Sequence, residues 1–243
     1  MRGPPRIEEI DDIDYRLEAR PWRFSIDEAE AIDRHWAKLS AANPHFFNGR
    51  VFLMRQAEIQ AQGDRRILRG AGFEAEYKAF LAWRDFGFPD QAIGNCFSMA
   101  ALVSADGAFM LGRMSDHTAN AGKIYFPAGT PDPGDLKGEI IDLEGSVLRE
   151  LFEETGIAPH EVTLAPGWTL VFDGPRLACM KIVRSGLCAA ELEARFTAFI
   201  AADPLPELAA LQPVFSVRDL DEERMPAFTL RYLRHALENG PPK

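Results

Sequence analysis

The chain has 243 residues, of which 47% are hydrophobic and 26% charged, and its formal net charge is −10. A polypeptide of this length and apolar content can bury a sizeable core, as one large domain or two smaller ones. The acidic balance argues against binding nucleic acid over a broad surface, because phosphate contacts require clustered lysine and arginine. It does not exclude a small phosphate-bearing ligand, since a metal ion and a few local cations can offset charge within one pocket.

Three features of the chain bear on its location in the cell. The first residues, Met1 to Pro5, are followed by acids and lack the apolar segment of a signal peptide. No run approaches the roughly 18 consecutive apolar residues of a membrane-spanning helix. The cysteines Cys96, Cys179 and Cys188 are widely spaced, which indicates reduced thiols rather than a zinc site or a disulfide framework. We therefore expect a soluble, cytoplasmic protein without a membrane partner.

Residues 1–93 are predicted to form an α+β extension that packs on the rest of the chain. Ser25 to Leu39 has apolar residues at helical spacing after a serine suited to the cap position. Val51 to Met54 and Arg66 to Phe73 have the pattern of strands. Phe73 to Phe86 carries aromatic residues at helical spacing, which predicts core and interface packing. A stacking surface for a base or a sugar is the alternative.

Strand and helix patterns alternate over residues 94–243, which predicts a mixed sheet covered by helices on both faces. The expected strands are Cys96 to Ser104, Ala108 to Gly112, Lys123 to Phe126, Val162 to Phe172, Leu177 to Val183 and Pro213 to Val217. Two of the expected helices are Ala190 to Ala201 and Met225 to Glu238.

The most informative segment is Arg149 to Ile157, which reads Arg-Glu-Leu-Phe-Glu-Glu-Thr-Gly-Ile. A helix would bring its carboxylates, Glu150, Glu153 and Glu154, onto one face. Like charges at this spacing repel each other, and hard divalent cations prefer oxygen ligands. The pattern therefore predicts Mg²⁺, or Mn²⁺ as an alternative, bound across the three glutamates. A merely solvated acidic face is the competing interpretation of the three residues alone.

The residues around this segment favour the metal-site interpretation. Asp142 is suited to the N-cap of the helix and Gly156 to the position just after its end. Arg149 offers a forked donor that can hold a carboxylate in a fixed rotamer. Upstream, Phe126 to Asp135 is dense in proline and glycine and must turn tightly against the start of the helix.

Together these residues resemble the signature of the Nudix hydrolases, G-x5-E-x7-R-E-U-x-E-E-x-G-U, where U is an apolar aliphatic residue. The second half matches at every fixed position from Arg149 to Ile157, including Leu151. In the first half, Gly129 is followed six residues later by Asp135 instead of glutamate. Leu136 to Ile141 are a six-residue insertion in the loop ahead of the helix. The roles of Asp135 and of this insertion are left open.

The resemblance implies a Nudix α/β/α sandwich and hydrolysis of a diphosphate by water with the help of Mg²⁺. It implies that Glu150 and Glu154 contact the metal directly and that Glu153 does so directly or through water. The carbonyl of Gly129 is a further candidate ligand. Arg149 is expected to hold the glutamates by hydrogen bonds rather than to touch the substrate.

The general base is not identified by the signature, which leaves a glutamate of the motif or an acid of a later loop. The later candidates are Glu191, Glu193, Asp203 and Glu207. His117 could approach a phosphate, although loop histidines are mostly solvated. The sequence identifies no residue that binds the rest of the substrate.

Three functional interpretations follow. The favoured one is a pyrophosphohydrolase of a nucleoside diphosphate linked to a second moiety, with a UDP-sugar as a candidate. Asn43 to Gly49, with the strand and aromatic helix that follow, is similar to the extension of a eukaryotic Nudix subgroup linked to UDP-sugar hydrolysis. A coenzyme A pyrophosphatase is the second, because Leu111 to Ser115 and Phe126 to Gly129 match fragments of that group's motif.

The third interpretation is a non-catalytic Nudix module that senses a nucleotide. It is disfavoured because such modules usually lose the motif glutamates, whereas this chain retains all three. In each interpretation the partner is a small molecule derived from a nucleotide. The aromatic-rich N-terminal part leaves a homodimer open.

Overall fold

The computed structural model describes residues 4–239. Residues 1–3, on which part of the signal-peptide argument rests, lie outside the described residues. The strands are β1 (Arg6–Ile10), β2 (Asp12–Leu17), β3 (Arg50–Gln62), β4 (Arg65–Glu76), β5 (Asn95–Val103), β6 (Phe109–Met114), β7 (Ile124–Tyr125), β8 (Ala128–Gly129), β9 (Leu136–Lys137), β10 (Ile140–Ile141), β11 (Val162–Leu164), β12 (Trp168–Asp173), β13 (Arg176–Ser185) and β14 (Leu208–Val214). The helices are α1 (Arg23–Asp27), α2 (Ala29–Ala42), α3 (Tyr77–Asp85), α4 (Leu143–Thr155), α5 (Ala189–Ile200) and α6 (Ala227–Asn239).

The larger sheet has nine strands within residues 4–239, and its main path is β1-β12-β13-β5-β6-β14. The β13 and β5 strands run parallel, whereas β12 and β13, and β5 and β6, are antiparallel. Helix α4 packs against β5 and β8, α5 against β14, and α6 against β12. The predicted α/β class with a mixed sheet is therefore confirmed.

A second sheet of five strands has the order β3-β4-β2-β10-β9. Strands β9 and β10 are formed by the insertion, Leu136 to Ile141, which the sequence predicted only as part of a loop. Ile140 of this small hairpin pairs with Arg16 of β2. The insertion therefore joins the signature segment to the N-terminal part of the chain.

Strand β3 contributes to two hydrophobic cores, because its side chains alternate between opposite faces. Phe52 and Met54 are buried in the larger core with the main sheet. Val51 and Leu53 are buried in a smaller core of the N-terminal part, together with aromatic residues such as Trp83. The predicted aromatic packing thus takes place within the chain, and a homodimer stays a prediction.

Several of the predicted elements have different bounds in the structure. The strand expected from Val162 to Phe172 is divided into β11 and β12, and the one expected from Val51 to Met54 is the much longer β3. The helix expected from Ser25 to Leu39 is divided into α1 and α2, because Glu28 leaves the helical conformation with φ −106° and ψ 18°. The strand expected from Pro213 to Val217 is β14 and ends earlier. The amides of Phe215 and Ser216 donate to the Asp219 carboxylate at 3.0 and 2.8 Å, which turns the chain into a 3-10 helix.

Strands β1 and β2 were not predicted, because acidic residues dominate Arg6 to Leu17. β1 pairs with β12 and therefore belongs to the larger sheet. The division of the chain at residue 93 stays a prediction. In the described part of the chain, no helix has both the length and the apolar content needed to cross a membrane.

Candidate active site

Helix α4 carries the acidic segment and has the ends that the sequence predicted. The Oδ1 atom of Asp142 accepts a hydrogen bond from the amide of Gly145 at 3.0 Å. Gly156 ends the helix in the left-handed conformation with φ 72°, where a side chain would be strained and would also overlap Phe199. Leu151 is fully buried and anchors the inner face of the helix.

The three glutamates of α4 differ strongly in exposure. Glu154 is only 5% exposed, and the side chains of Glu150 and Glu153 are 13% and 54% exposed. The Oε1 atom of Glu154 accepts a hydrogen bond from the amide of Ala128 at 3.3 Å, but its buried Oε2 atom has no hydrogen-bond partner among the described residues. Burial raises the pKa of Glu154 well above its ordinary value and that of Glu150 to about 7. Both carboxylates therefore lie where an additional positive charge would be stabilising.

Arg149 joins the acids of the loop and the helix. Its guanidinium donates to both carboxylate oxygens of Asp135, at 3.1 and 2.8 Å. It also lies 2.9 Å from Glu150 Oε1 and 2.9 Å from Glu153 Oε2. Burial acts to lower the pKa of Arg149, but its hydrogen bonds to Asp135 and the charge of Glu150 raise it overall. Arg149 thus contacts three carboxylates, and its role in holding them in place stays a prediction.

Asp135, which replaces the glutamate of the signature, is 5% exposed. Besides binding Arg149, its Oδ2 atom accepts a hydrogen bond from the amide of Asp132 at 3.1 Å. Both of its oxygens are therefore engaged within the loop and helix. Its position is that of a residue that orients Arg149.

Gly129 lies directly against the carboxylate of Glu150. A Cβ atom at this position would overlap the Glu150 side chain, so a larger residue would displace it. The short strand β8 holds the glycine here by pairing Gly129 with Ser98 of β5. The requirement at this position is for close approach of the backbone rather than for a left-handed conformation.

The donor atoms fit a hard divalent cation. Within residues 4–239, no three ligand-type side chains converge as a preformed cation site, and the Glu153 carboxylate is directed to Arg149. Mg²⁺, however, is commonly held by one or two carboxylates together with water and substrate phosphates. Glu150 and Glu154 would provide such a pair, and among the described residues the buried Oε2 atom of Glu154 has no hydrogen-bond partner; their role as metal ligands stays a prediction.

Among the four later candidates for the general base, Glu207 alone lines the same cavity as Glu150, although Asp173 also lines it. Desolvation raises the pKa of Glu207, and its charge contributes to the raised pKa values of Glu150 and Glu154. Glu191 instead accepts a hydrogen bond from the amide of Cys188 at the start of α5, at 2.8 Å. Asp203 accepts one from the amide of Leu205 at 2.9 Å.

Glu193 also lies outside the residues that line this cavity. His117 borders a smaller neighbouring cavity of about 370 Å³, to which Glu207 also contributes. The backbone carbonyl of His117 accepts a hydrogen bond from the Asn43 side chain at 2.6 Å, and its ring centroid is 6.4 Å from that of His45. The loop of Asn43 to Gly49 thus lies beside the site.

The cavity next to Glu150 has a volume of about 620 Å³, and both parts of the chain form its walls. The N-terminal part contributes mainly aromatic residues from α3 and the turn after it. The sequence did not identify the polar residues that line this cavity, because long-range strand pairing brings them together and no local motif marks them. They include Arg84, Asn95, Asn120, Lys123, Asp173 and Arg176.

Comparisons with known proteins identify a family for most of the chain after residue 95. A family model described as the NUDIX domain matches residues 96–235. The MutT protein of Methanosarcina mazei is 24% identical over 60% of this chain and 94% of its own, with a TM-score of 0.40. The NUDIX domain of Shewanella oneidensis NrtR, solved in complex with ADP ribose, is 19% identical over 60% of this chain and 88% of its own, with a TM-score of 0.39. A comparison with curated proteins finds none that matches.

Proposed function

Because the chain belongs to the Nudix family and is thus a hydrolase of phosphoric anhydride bonds, we propose that it is a Mg²⁺-dependent pyrophosphohydrolase. Its substrate is a nucleoside diphosphate linked to a second moiety, and a UDP-sugar is one candidate. The observation that carries this proposal is a carboxylate pair on α4: Glu150, whose side chain is 13% exposed, lines a cavity of about 620 Å³, and Glu154, one turn further along the helix, is buried. Mn²⁺ is the alternative cation.

In this proposal, water attacks one phosphorus of the diphosphate and the bond from that phosphorus to the bridging oxygen breaks. The products are a nucleoside monophosphate and the phosphorylated second moiety. When bound, the divalent cation neutralises phosphate oxygens and orients the water. Glu150 and Glu154 would hold the cation, Glu153 would assist directly or through water, and Gly129 would let the loop backbone approach it. Arg149 and Asp135 keep the Glu150 carboxylate in position.

The proton of the attacking water goes to a carboxylate of the chain, and we assign this role to Glu207. Its place in the cavity beside Glu150 supports the assignment, whereas Glu191 and Asp203 have their carboxylates engaged at local turns. A glutamate of α4 is the competing base. No specific observation among the described residues favours the coenzyme A or the nucleotide-sensing interpretation.

The experiment follows the products of nucleoside diphosphate-linked compounds by anion-exchange chromatography, with the Glu207→Gln variant and the Glu193→Gln control. We expect equimolar nucleoside monophosphate and phosphorylated second moiety from the wild-type protein. Glu207→Gln should lower kcat by roughly 10² to 10⁴-fold with little change in KM, because a positioned base acts mainly in the transition state. Equal kcat values for both variants would remove Glu207 as the base.

A further inference from the structure

Arg176 lines the large cavity and has a guanidinium with free donors. Its guanidinium carbon lies 5.3 Å from the centroid of the Phe88 ring. Within the described part of the chain, its side chain has no salt bridge and no hydrogen bond, although the residue is half-buried. Arg84, which lines the same cavity, is by contrast paired with Asp85 at 2.7 Å. The planar N–H edge of Arg176 is therefore available to a ligand.

The chain places Phe88 beneath Arg176 by means of an unfavourable turn. Phe88 has φ 60°, and it is the one residue other than glycine with a positive φ in residues 4–239. Bulky residues rarely occupy this conformation, and such strain persists only when surrounding contacts enforce it. Here the Phe88 amide donates to the carbonyl of Trp83 at 2.8 Å, and the two rings pack edge to face with centroids 4.7 Å apart. The Phe88 ring is thus fixed between the smaller core of the N-terminal part and Arg176.

Arg176 is also connected to the reaction site through the main sheet. It pairs in register with Asn95 of β5. The Oδ1 atom of Asn95 accepts a hydrogen bond from the hydroxyl of Thr130 at 3.2 Å, and Thr130 follows Gly129. One continuous cavity includes both Glu150 and Arg176. A ligand bound at Glu150 can therefore extend to Arg176.

We propose that Arg176, held on the Phe88 ring, is a substrate-binding residue that takes a phosphate oxyanion. An arginine fork matches two phosphate oxygens, and a half-buried cation without a carboxylate partner favours an anionic ligand. This inference rests on the proposed function, because it assigns a part of the same substrate. The oxyanion is either one phosphate of the scissile diphosphate or an additional phosphate of the substrate.

The first test measures binding of inorganic pyrophosphate by isothermal titration calorimetry in EDTA, so that neither metal nor turnover is required. We expect Arg176→Gln to raise Kd by about tenfold or more, which is the usual weight of a charged hydrogen bond. The matched control is Arg6→Gln, because Arg6 lies 3.7 Å from the Phe172 ring centroid but does not line the cavity. Equal Kd values for Arg176→Gln and wild type, or no binding by the wild-type protein, would overturn the inference.

Two further variants separate direct binding from a structural effect. Arg176→Lys keeps the charge without the fork, so it should bind pyrophosphate more weakly than wild type and more tightly than Arg176→Gln; it also replaces Arg176→Gln if that variant does not fold. Phe88→Leu should raise KM with little change in kcat. Phe88→Tyr, which keeps the ring, should have the KM of the wild-type protein. A lowered kcat at unchanged KM in Phe88→Leu would contradict the positioning role.

The second test identifies the source of the oxyanion by comparing kcat/KM within two compound pairs, NADH with NADPH and dephospho-coenzyme A with coenzyme A. A similar loss for both members in Arg176→Gln indicates the scissile diphosphate. A loss confined to the member with the extra phosphate indicates an additional phosphate group. Unchanged kcat/KM for every compound would overturn the inference. If no compound is hydrolysed but pyrophosphate binding depends on Arg176, the subsite stands and the proposed function fails.

Discussion

The charges around α4 are paired unequally. Arg149 contacts Asp135, Glu150 and Glu153, whereas the buried Glu154 has one oxygen without a hydrogen-bond partner in residues 4–239. A buried polar atom without a partner costs free energy in the absence of a ligand. Glu154 is therefore the residue at which function and stability are expected to oppose each other.

Glu154→Gln should abolish most activity while the protein still folds. Loss of a metal ligand should lower kcat by roughly 100-fold or more, since a bound cation supplies several kcal/mol of transition-state stabilisation. The melting temperature in EDTA should equal or exceed that of the wild-type protein, because a neutral amide replaces a buried carboxyl group. Steady-state kinetics measures kcat, and differential scanning calorimetry measures the melting temperature with Mg²⁺ and with EDTA. Glu193→Gln is the control in both measurements. Full turnover by Glu154→Gln would mean that the metal assignment is wrong.

Asp135→Asn should destabilise the protein, because it removes the charge that faces the Arg149 fork. We expect a loss of about 1 to 3 kcal/mol in the free energy of unfolding, the usual consequence of leaving a buried charged group poorly paired. Urea denaturation of both proteins measures this difference in the free energy of unfolding. Asp64→Asn, at the exposed turn between β3 and β4, is the control and should have little effect. A change within about 0.5 kcal/mol for both variants would contradict the positioning role of Asp135.

Residue-scale features differed in how far the sequence could predict them. The helix of the glutamates, its cap Asp142 and its terminal Gly156 were predicted, because capping and helical periodicity are local properties. The contact between Arg149 and Asp135 depends on the path of a loop with an insertion, so its geometry could not be read from spacing. Arg176 could not be found at all, since its role arises from strand pairing and from the Phe88 turn.

An ion pair connects the end of α4 to α5. Arg195 of α5 binds the carboxylate of Glu161 and also donates to the carbonyl of Gly156 at 3.0 Å. The hydrogen bond from Arg195, with another from the Ala158 amide, lowers the pKa of Glu161 to about 2. These contacts join α5 to the residue that ends α4 and to the short 3-10 helix that follows it.

The stability contributed by Glu161 should depend on pH. Because its folded-state pKa lies below its ordinary value of 4.5, the contribution is fully present above about pH 4.5 and is lost as pH falls toward 2. Thermal melts of Glu161→Gln should therefore lie below those of the wild-type protein at neutral pH and converge with them under acid. Glu193→Gln on α5 should not reproduce this pattern. A difference in melting temperature that stays constant from neutral to acidic pH would contradict the lowered pKa of Glu161.

The insertion before α4 illustrates what local patterns leave out. Leu136 to Ile141 departs from the family spacing, and it was predicted only as part of a loop although Gly138 is suited to a tight turn. In the structure it forms β9 and β10, which complete the sheet of the N-terminal part. Its conformation is set by pairing with β2. That strand was not predicted, because the sequence from Arg6 to Leu17 is rich in acidic residues.

At the scale of the whole molecule, the N-terminal part and the Nudix part share structural elements. Strand β1 pairs with β12 of the larger sheet, and β10 pairs with β2 of the smaller one. The two faces of β3 are buried in different cores. The sequence predicted the fold class from its alternating strand and helix patterns, whereas the division into two parts stays a prediction. It could not predict that strands of each part pair with strands of the other, because these pairings join residues far apart in the chain.

A chain shortened to residues 94–243 should therefore fail to unfold cooperatively. It would leave the edge of β12 unpaired, and it would remove Tyr15, Phe52 and Met54 from the larger core. Circular dichroism during heating measures this, and a chain of residues 4–239 serves as the control that retains every described element. A sharp transition of the shortened chain at the wild-type temperature would instead establish residues 94–243 as an independent domain.

The most direct test of the central claim is a screen of phosphate release, coupled to a phosphatase that acts only on the products. The compounds are UDP-sugars, ADP-ribose, dinucleoside polyphosphates, NADH and coenzyme A, each with Mg²⁺, with Mn²⁺ and with EDTA. We predict cleavage of one class of compound that requires the metal and is lost in Glu154→Gln. No cleavage of any compound with either metal, or cleavage that persists in EDTA, would contradict the proposed function.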